Sequence, residues 1–166
     1  MQGELELAAK LYQKKNVSLS SEEDEITSLR AIECYEKLGR WDIVSNSIES
    51  TVENDFSSLW EEDLRDLCMG KFIRSNVNIS LEKKHPTSQL TSFIADSFQD
   101  EDRKKALILS HANDLAVTSL LRKDIGEASF YIKKAFESFS DFWISSQDQS
   151  SRRKSSLLDG LTKVSR

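Results

Sequence analysis

Chain breakers are scarce in this sequence: one proline and five glycines occur in 166 residues. A sheet protein needs a reversal every few residues, and Gly and Pro are its usual suppliers. The sequence cannot furnish so many turns, which leaves a helical fold. Cysteine is nearly absent as well. Cys34 and Cys68 form no CxxC pair, and neither lies near His85 or His111 in sequence. Both fall among apolar residues at helical spacing and read as reduced thiols acting as small core hydrophobes, compatible with cytosol or nucleus. No run of 18 apolar residues exists and the N-terminus lacks a signal-peptide apolar stretch. The expectation is a soluble intracellular chain with no membrane partner.

Positive charge is also short, the formal net charge being −5. Non-specific nucleic-acid binding rests on clustered Lys and Arg that displace counterions. The basic clusters are Arg103-Lys104-Lys105 and Arg152-Arg153-Lys154. Each reads as the solvated side of a helix, so no direct nucleic-acid binding is expected.

Motifs for chemistry are missing too. His85 and His111 stand 26 residues apart without an HExxH or other paired-ligand spacing, and zinc needs about four N or S donors in tetrahedral reach. His111 reads as a structural histidine on a helix and His85 as a loop residue before Pro86. No GxSxG, GxGxxG or GxxxxGK[ST] pattern occurs. Acidic runs such as Glu61-Glu62 and Asp100-Glu101-Asp102 read as first-turn acids that complement the helix dipole. The aromatics Phe93, Phe98, Phe136 and Phe139 read as core. No catalytic residue, cofactor site or metal site is assigned. Two Ser-Gln dipeptides, Ser88-Gln89 and Ser146-Gln147, match what phosphatidylinositol-3-kinase-related kinases favour in substrates, and chance explains them in so serine-rich a chain.

What the chain does hold, from one end to the other, is apolar residues at three- and four-residue spacing. A first helix is expected from about Glu4 to Lys15 on Leu5, Ala8, Ala9, Leu11 and Tyr12. After a polar break from Asn16, Ser20 and Ser21 offer caps with Glu23 and Asp24 three residues on. A second helix runs to Leu38, with Ala31, Cys34, Tyr35 and Leu38 on one face and Leu29 and Ile32 on others. Gly39 stops it, and Trp41 opens a third helix with Val44, Ile48 and Val52. So short a link makes the two an antiparallel hairpin. Ser58 and Glu61 suggest a capping box for a fourth helix on Trp60, Leu64, Leu67, Cys68 and Phe72, and His85-Pro86 ends it.

A fifth helix carries Leu90, Phe93, Ile94 and Phe98. A sixth, from about Asp102 to Lys123, carries Leu109, Ala112, Ala116, Val117, Leu120 and Leu121. Asp124 and Glu127 cap a seventh, with Gly126 in its first turn and Ala128, Tyr131, Ile132, Ala135, Phe136 and Phe139 along it. A loop follows within Ser140–Ser156, and Leu157, Leu158, Leu161 and Val164 mark an eighth helix. The expected fold is an all-α, tetratricopeptide-like α-solenoid of about four irregular helix pairs. Gly3 and Gly39 are 36 residues apart, near that family's period of about 34, whereas Gly39 and Gly126 are 87 apart. Terminal solenoid helices need a polar outer side, and neither the first nor the eighth pattern has one. Residues 1–166 therefore read as one helical-repeat segment of a longer chain.

Distributed patterns carry a resemblance across nearly the whole chain. They are Ala31-Ile-Glu-Cys-Tyr-Glu-Lys-Leu-Gly-Arg-Trp41, Leu59-Trp60, Phe72-Ile-Arg-Ser75, Leu90-Thr-Ser-Phe-Ile94 and Lys105-Ala-Leu-Ile-Leu-Ser-His111. Leu120-Leu-Arg-Lys-Asp124, Ala128-Ser-Phe-Tyr-Ile132 and Phe136-Glu-Ser-Phe139 complete them. Together these resemble a stretch of the FAT domain of the DNA-dependent protein kinase family, within the phosphatidylinositol-3-kinase-related kinases. The resemblance implies a very large nuclear serine/threonine kinase as parent, recruited to DNA double-strand breaks by the Ku heterodimer and acting in non-homologous end joining. It implies that this segment is a non-catalytic scaffold whose partners are neighbouring helical repeats and the kinase domain of the same chain. No kinase active-site residue lies in these residues. The alternatives are a free-standing tetratricopeptide-like adaptor that grips a peptide and, with no candidate residue to support it, an all-helical enzyme.

Overall fold

The computed structural model describes residues 3–8 and 21–141, and among them every regular element is helical. Helix α1 covers residues 3–8. Helix α2 is Ser21–Lys37 and α3 is Trp41–Thr51. A 3-10 turn, Phe56–Trp60, precedes α4, in which the segments Glu62–Leu64, a π turn at Arg65–Met69, and Gly70–Lys83 follow without a break. Helix α5 is Ser88–Ser97, α6 is Glu101–Leu121, and α7 covers residues 125–141. The all-α expectation holds for these residues. The remainder of the expected first helix, the Ser20 cap, the loop beyond residue 141, Arg152-Arg153-Lys154, Ser146-Gln147 and the expected eighth helix lie outside the described residues.

One stop recurs four times. At the end of α2 the Gly39 N–H donates to Glu36 O and the Arg40 N–H reaches back five residues to Tyr35 O, at 3.1 and 2.9 Å. The same long bond runs from Asn54 to Glu49, from His85 to Ser80 and from Asp124 to Ser119. This is the Schellman closure, which satisfies otherwise orphaned carbonyls and needs a left-handed residue. Gly39 supplies it at φ +68°, but Glu53, Lys84 and Lys123 take the same role at φ 50°, 55° and 64°. Gly126 is not the turn residue of its hairpin; it lies within the first turn of α7, behind Asp124, whose carboxylate accepts from the Glu127 N–H at 2.9 Å.

Packing follows chain order: α2 lies on α3, α3 on the Gly70–Lys83 part of α4, and that part in turn on α5 and α6. The core holds Val44, Ile48, Leu59, Phe72, Leu90, Phe93 and Leu107, all essentially inaccessible to water. Phe72 joins three elements, its ring 4.9 Å from Phe56 and edge-on to Phe93 at 5.4 Å. As foreseen, α2 is apolar on more than one side, with Ala31, Ile32 and Tyr35 buried and Leu29, Cys34 and Leu38 packed against them.

Four expectations fail. Ser58 caps nothing: it sits inside the 3-10 turn and donates to Asp55 O at 2.7 Å, while Asp55 caps the turn through Ser57 N–H at 3.0 Å. Glu61 makes no side-chain cap either. Leu67 is 43% exposed, because the π turn inserts a residue into the helical repeat and carries Met69 inward instead. Leu109 and Leu120 face water. Helix α6 breaks at His111 (φ −131°, ψ 26°), so its halves present different registers: Leu107 before the break, and Ala112, Leu115, Ala116 and Ser119 after it. Lastly, Ile132, Phe136 and Phe139 of α7 are exposed. Ala128 and Tyr131 are buried on that helix.

Candidate functional site

The groups that carry chemistry are dispersed. His85 Nδ1 lies 2.8 Å from Pro86 O, in the loop position expected of it. His111 is half-buried, with Nδ1 3.4 Å from Asp114 Oδ2. Cys34 is half-buried and Cys68 buried, both as free thiols. Among the described residues no three His, Cys, Asp or Glu side chains gather where a metal ion could sit. No helix there is long and apolar enough to cross a membrane. Asp100 does what an acid at a helix start should. It accepts from the N–H groups of Arg103 and Asp102 at 3.0 and 2.9 Å, and these bonds hold its carboxyl below the usual range.

The basic cluster on α6 is less solvated than its sequence suggests. The Arg103 guanidinium lies over the Trp60 ring at 5.6 Å and Lys104 over Phe98 at 5.9 Å, leaving Lys105 exposed. Trp60 in turn donates to Ser97 Oγ at 3.1 Å and stacks on Phe93. The cluster lids the 3-10 turn. Ser88-Gln89 opens α5 on the surface, its hydroxyl 3.2 Å from Gln89 Oε1.

Two polar latches join separate helices, and sequence reasoning missed both. Asn76, 1% exposed, donates to Ser45 Oγ on α3 at 3.0 Å and to Phe72 O at 3.1 Å, and accepts from Thr87 Oγ1 at 2.7 Å. The Thr87 hydroxyl also accepts from the Leu90 N–H, which caps α5. The Ser80 hydroxyl donates to Asn76 O and accepts from the Thr87 N–H. Every partner is thus satisfied, and the network ties α3, α4 and α5 together. A buried asparagine in a helix interior is the signal that points to it, since such a side chain must find partners. The second latch is Glu36 on α2, which accepts from Lys71 (2.9 Å) and Arg74 on α4. Burial opposes its charge, yet the two cations together hold its carboxyl below the ordinary 4.5.

Between helices α6 and α7 a comparable junction forms at Glu127. It accepts from Ser119 Oγ at 2.9 Å, from Arg122 and, at 3.2 Å, from the Tyr131 hydroxyl. Burial first, then the adjacent Glu127 charge, pushes Tyr131 up to about 12. Glu127 therefore locks the hairpin and does not return to cap Asp124. Openings among the described residues include two of note. One, of about 320 Å³, lies where the π turn of α4 meets the break in α6, lined by Trp60, Arg65, Met69, Gly70, Ser110 and His111 among others. The other is an apolar groove between α6 and α7, lined by Asn113, Ile132, Ala135, Phe136 and Phe139.

The chain matches no protein-family model and no solved structure. It is similar to the DNA-dependent protein kinase catalytic subunit of Mus musculus, at 28% identity over 144 residues, covering 80% of this chain and 4% of the mouse protein. It is similar also to the DNA-dependent protein kinase catalytic subunit of Dictyostelium discoideum, at 25% identity over 147 residues, covering 89% of this chain and 3% of that protein. The chain thus spans only a few hundredths of the length of these relatives. Both alignments support homology to a region of that subunit.

Proposed function

We propose that this chain is a non-catalytic helical scaffold segment, of FAT-domain type, in a protein resembling the DNA-dependent protein kinase catalytic subunit. The observation that carries the reading is the similarity itself. It runs through most of this chain in two widely separated organisms, yet touches only 4% and 3% of each relative. A helical solenoid suits the chain-order packing of α2 to α6, in which each helix covers the apolar side of its neighbour. Its work is mechanical. Packed helices have discrete arrangements, so a shift at one end biases whatever the other end touches, and the Asn76 and Glu36 latches would transmit it. The intended receiver is the kinase domain of the same polypeptide. The setting is nuclear repair of DNA double-strand breaks by non-homologous end joining, with Ku engaged by the parent protein.

The test is to isolate the native polypeptide and sequence it beyond Arg166. A kinase domain downstream, with lysines such as Lys71 and Lys134 crosslinking to other helical segments or to that domain, is the expected result. Asn76→Ala in that full-length protein should then lower stimulated kinase activity while leaving the KM for ATP unchanged. A polypeptide that stops shortly after Arg166 and binds a defined peptide as a monomer is instead the adaptor, and the scaffold reading falls.

A further inference from the structure

Helices α4 and α6 pack on one another, yet at one level they part. The π turn Arg65–Met69 alters the repeat of α4, and α6 leaves helical geometry at His111. Packed helices ordinarily close the space between them with interdigitating side chains. Here a cleft of about 320 Å³ stays open, at the small end of the range of about 300–1,000 Å³ that ligand sites occupy. A π turn inside an α-helix is itself frequent at functional sites.

The lining suits a particular chemistry. Met69 is buried, Trp60 and Gly70 are half-buried, and Ala106 completes the apolar surface. At Gly70 a Cβ would lie 3.7 Å from His111 Cε1, so any side chain larger than a methyl would enter the space. Arg65 and Ser110 stand exposed at the mouth with hydrogen-bond donors. A guanidinium carries five N–H groups in a planar fork that matches a carboxylate, so Arg65 can keep a protein partner and still hold a ligand. A second guanidinium, that of Arg103, lies over the Trp60 ring at 5.6 Å. His111 Nδ1 is engaged by Asp114 at 3.4 Å, so the arginines set the charge that the site selects.

We propose that this cleft binds a small organic anion, its flat apolar body against Met69, Gly70, Ala106 and the Trp60 indole, and its carboxylate gripped by Arg65 and the Ser110 hydroxyl. A neutral body of the same shape would forgo the charge-assisted bonds. A polyphosphate would ask for several cations or a cradle of backbone N–H groups, and it would meet apolar surface beneath. The inference goes beyond the scaffold reading and does not rest on it.

Titrating the 166-residue chain with naphthoate, followed by backbone amide chemical shifts, tests it. Saturable one-to-one binding is expected, with shifts concentrated in residues 65–70 and 106–111. Naphthamide, the neutral counterpart, should bind more weakly by about tenfold. Ala106→Phe fills the cleft from an exposed position and should abolish binding while melting with the parent chain. Arg65→Gln should weaken naphthoate by about tenfold and leave naphthamide unchanged. Leu109→Ser, on the exposed surface of α6 outside the cleft, should alter neither. Naphthoate that fails to saturate, equal affinity for acid and amide, or undiminished binding in Ala106→Phe each overturns the proposal. So do shifts confined to residues 132–139 or a loss of binding in Leu109→Ser, since both place the probe elsewhere.

Discussion

Replacing Asn76 with alanine probes a dense cluster of buried polar contacts among the described residues. The side chain makes two donated bonds, to Ser45 Oγ and Phe72 O, and accepts a third from Thr87 Oγ1. A net hydrogen bond contributes about 1 kcal/mol, and a buried group left without its partner costs about 1–3 kcal/mol more. Alanine removes all three bonds and strands the Thr87 hydroxyl proton, so the expected loss is about 4–6 kcal/mol. At about 2–4 °C per kcal/mol for a chain of this size, Tm should fall by about 10–20 °C. Asn76→Asp should be no milder at pH 7, because a carboxylate cannot donate to Ser45 and would face the Phe72 carbonyl. It should recover partly in acid, when protonation restores one donor. Urea unfolding followed by circular dichroism reads both, and a cycle with Thr87→Val should give a coupling of about 1 kcal/mol. The reasoning fails if Asn76→Ala costs under about 1 kcal/mol, or if Asn76→Asp matches the parent protein at pH 7.

Glu36→Gln tests the second latch through pH. Because the folded protein holds Glu36 below 4.5, its stabilising contribution is complete above that value and is lost as pH falls through the folded value. The variant should therefore melt below the parent at pH 7, and the gap should close in acid; a gap that persists unchanged there refutes the latch. Gly39→Ala places a side chain at φ +68° and should cost about 1 kcal/mol in urea unfolding. Lys84→Gly and Lys123→Gly relieve the same conformation and should each gain up to about 1 kcal/mol; a loss would show that local contacts of the lysines outweigh backbone strain. Asp124→Ala should cost about 1 kcal/mol, with faster amide exchange confined to the first turn of α7.

The helical period could be read directly from the residues, as could the stop at Gly39 and the cap at Asp124, since each depends on contacts within a few residues. The helix ends near His85 and Lys123 were expected too, but the left-handed closures at Glu53, Lys84 and Lys123 were not, because such residues are poor left-handed formers in isolation and the five-residue carbonyl bond, not residue preference, decides them. Ser58 and Glu61 had the spacing of a capping box but not its setting. Asp55 stands nearer the turn and captures the free Ser57 N–H first. The latches were illegible for another reason. Asn76 meets Ser45 across 31 residues and Glu36 meets Lys71 across 35, so neither pairing leaves a local trace.

The failures of register share one physical origin, and it bears on what the fold can do. A helix read at constant period predicts its buried face only while the period is kept. The π turn at Arg65–Met69 and the break at His111 abandon it in α4 and α6, the two helices that pack on one another. These irregularities lie at the same level, with Gly70 close against His111 and the cleft of about 320 Å³ between them. On either side the packing is dense: the Asn76 network lies within the Gly70–Lys83 part of α4, and Leu115, Ala116 and Ser119 are buried in the second half of α6. Displacing α3 or α5 against the Gly70–Lys83 part of α4 must break the buried bonds of Asn76, so the expected place of compliance in such a stack is where the two departures from regular helix meet. The same residues that spoiled the sequence reading of Leu67 and Leu109 are thus the ones through which a scaffold of this kind would bend.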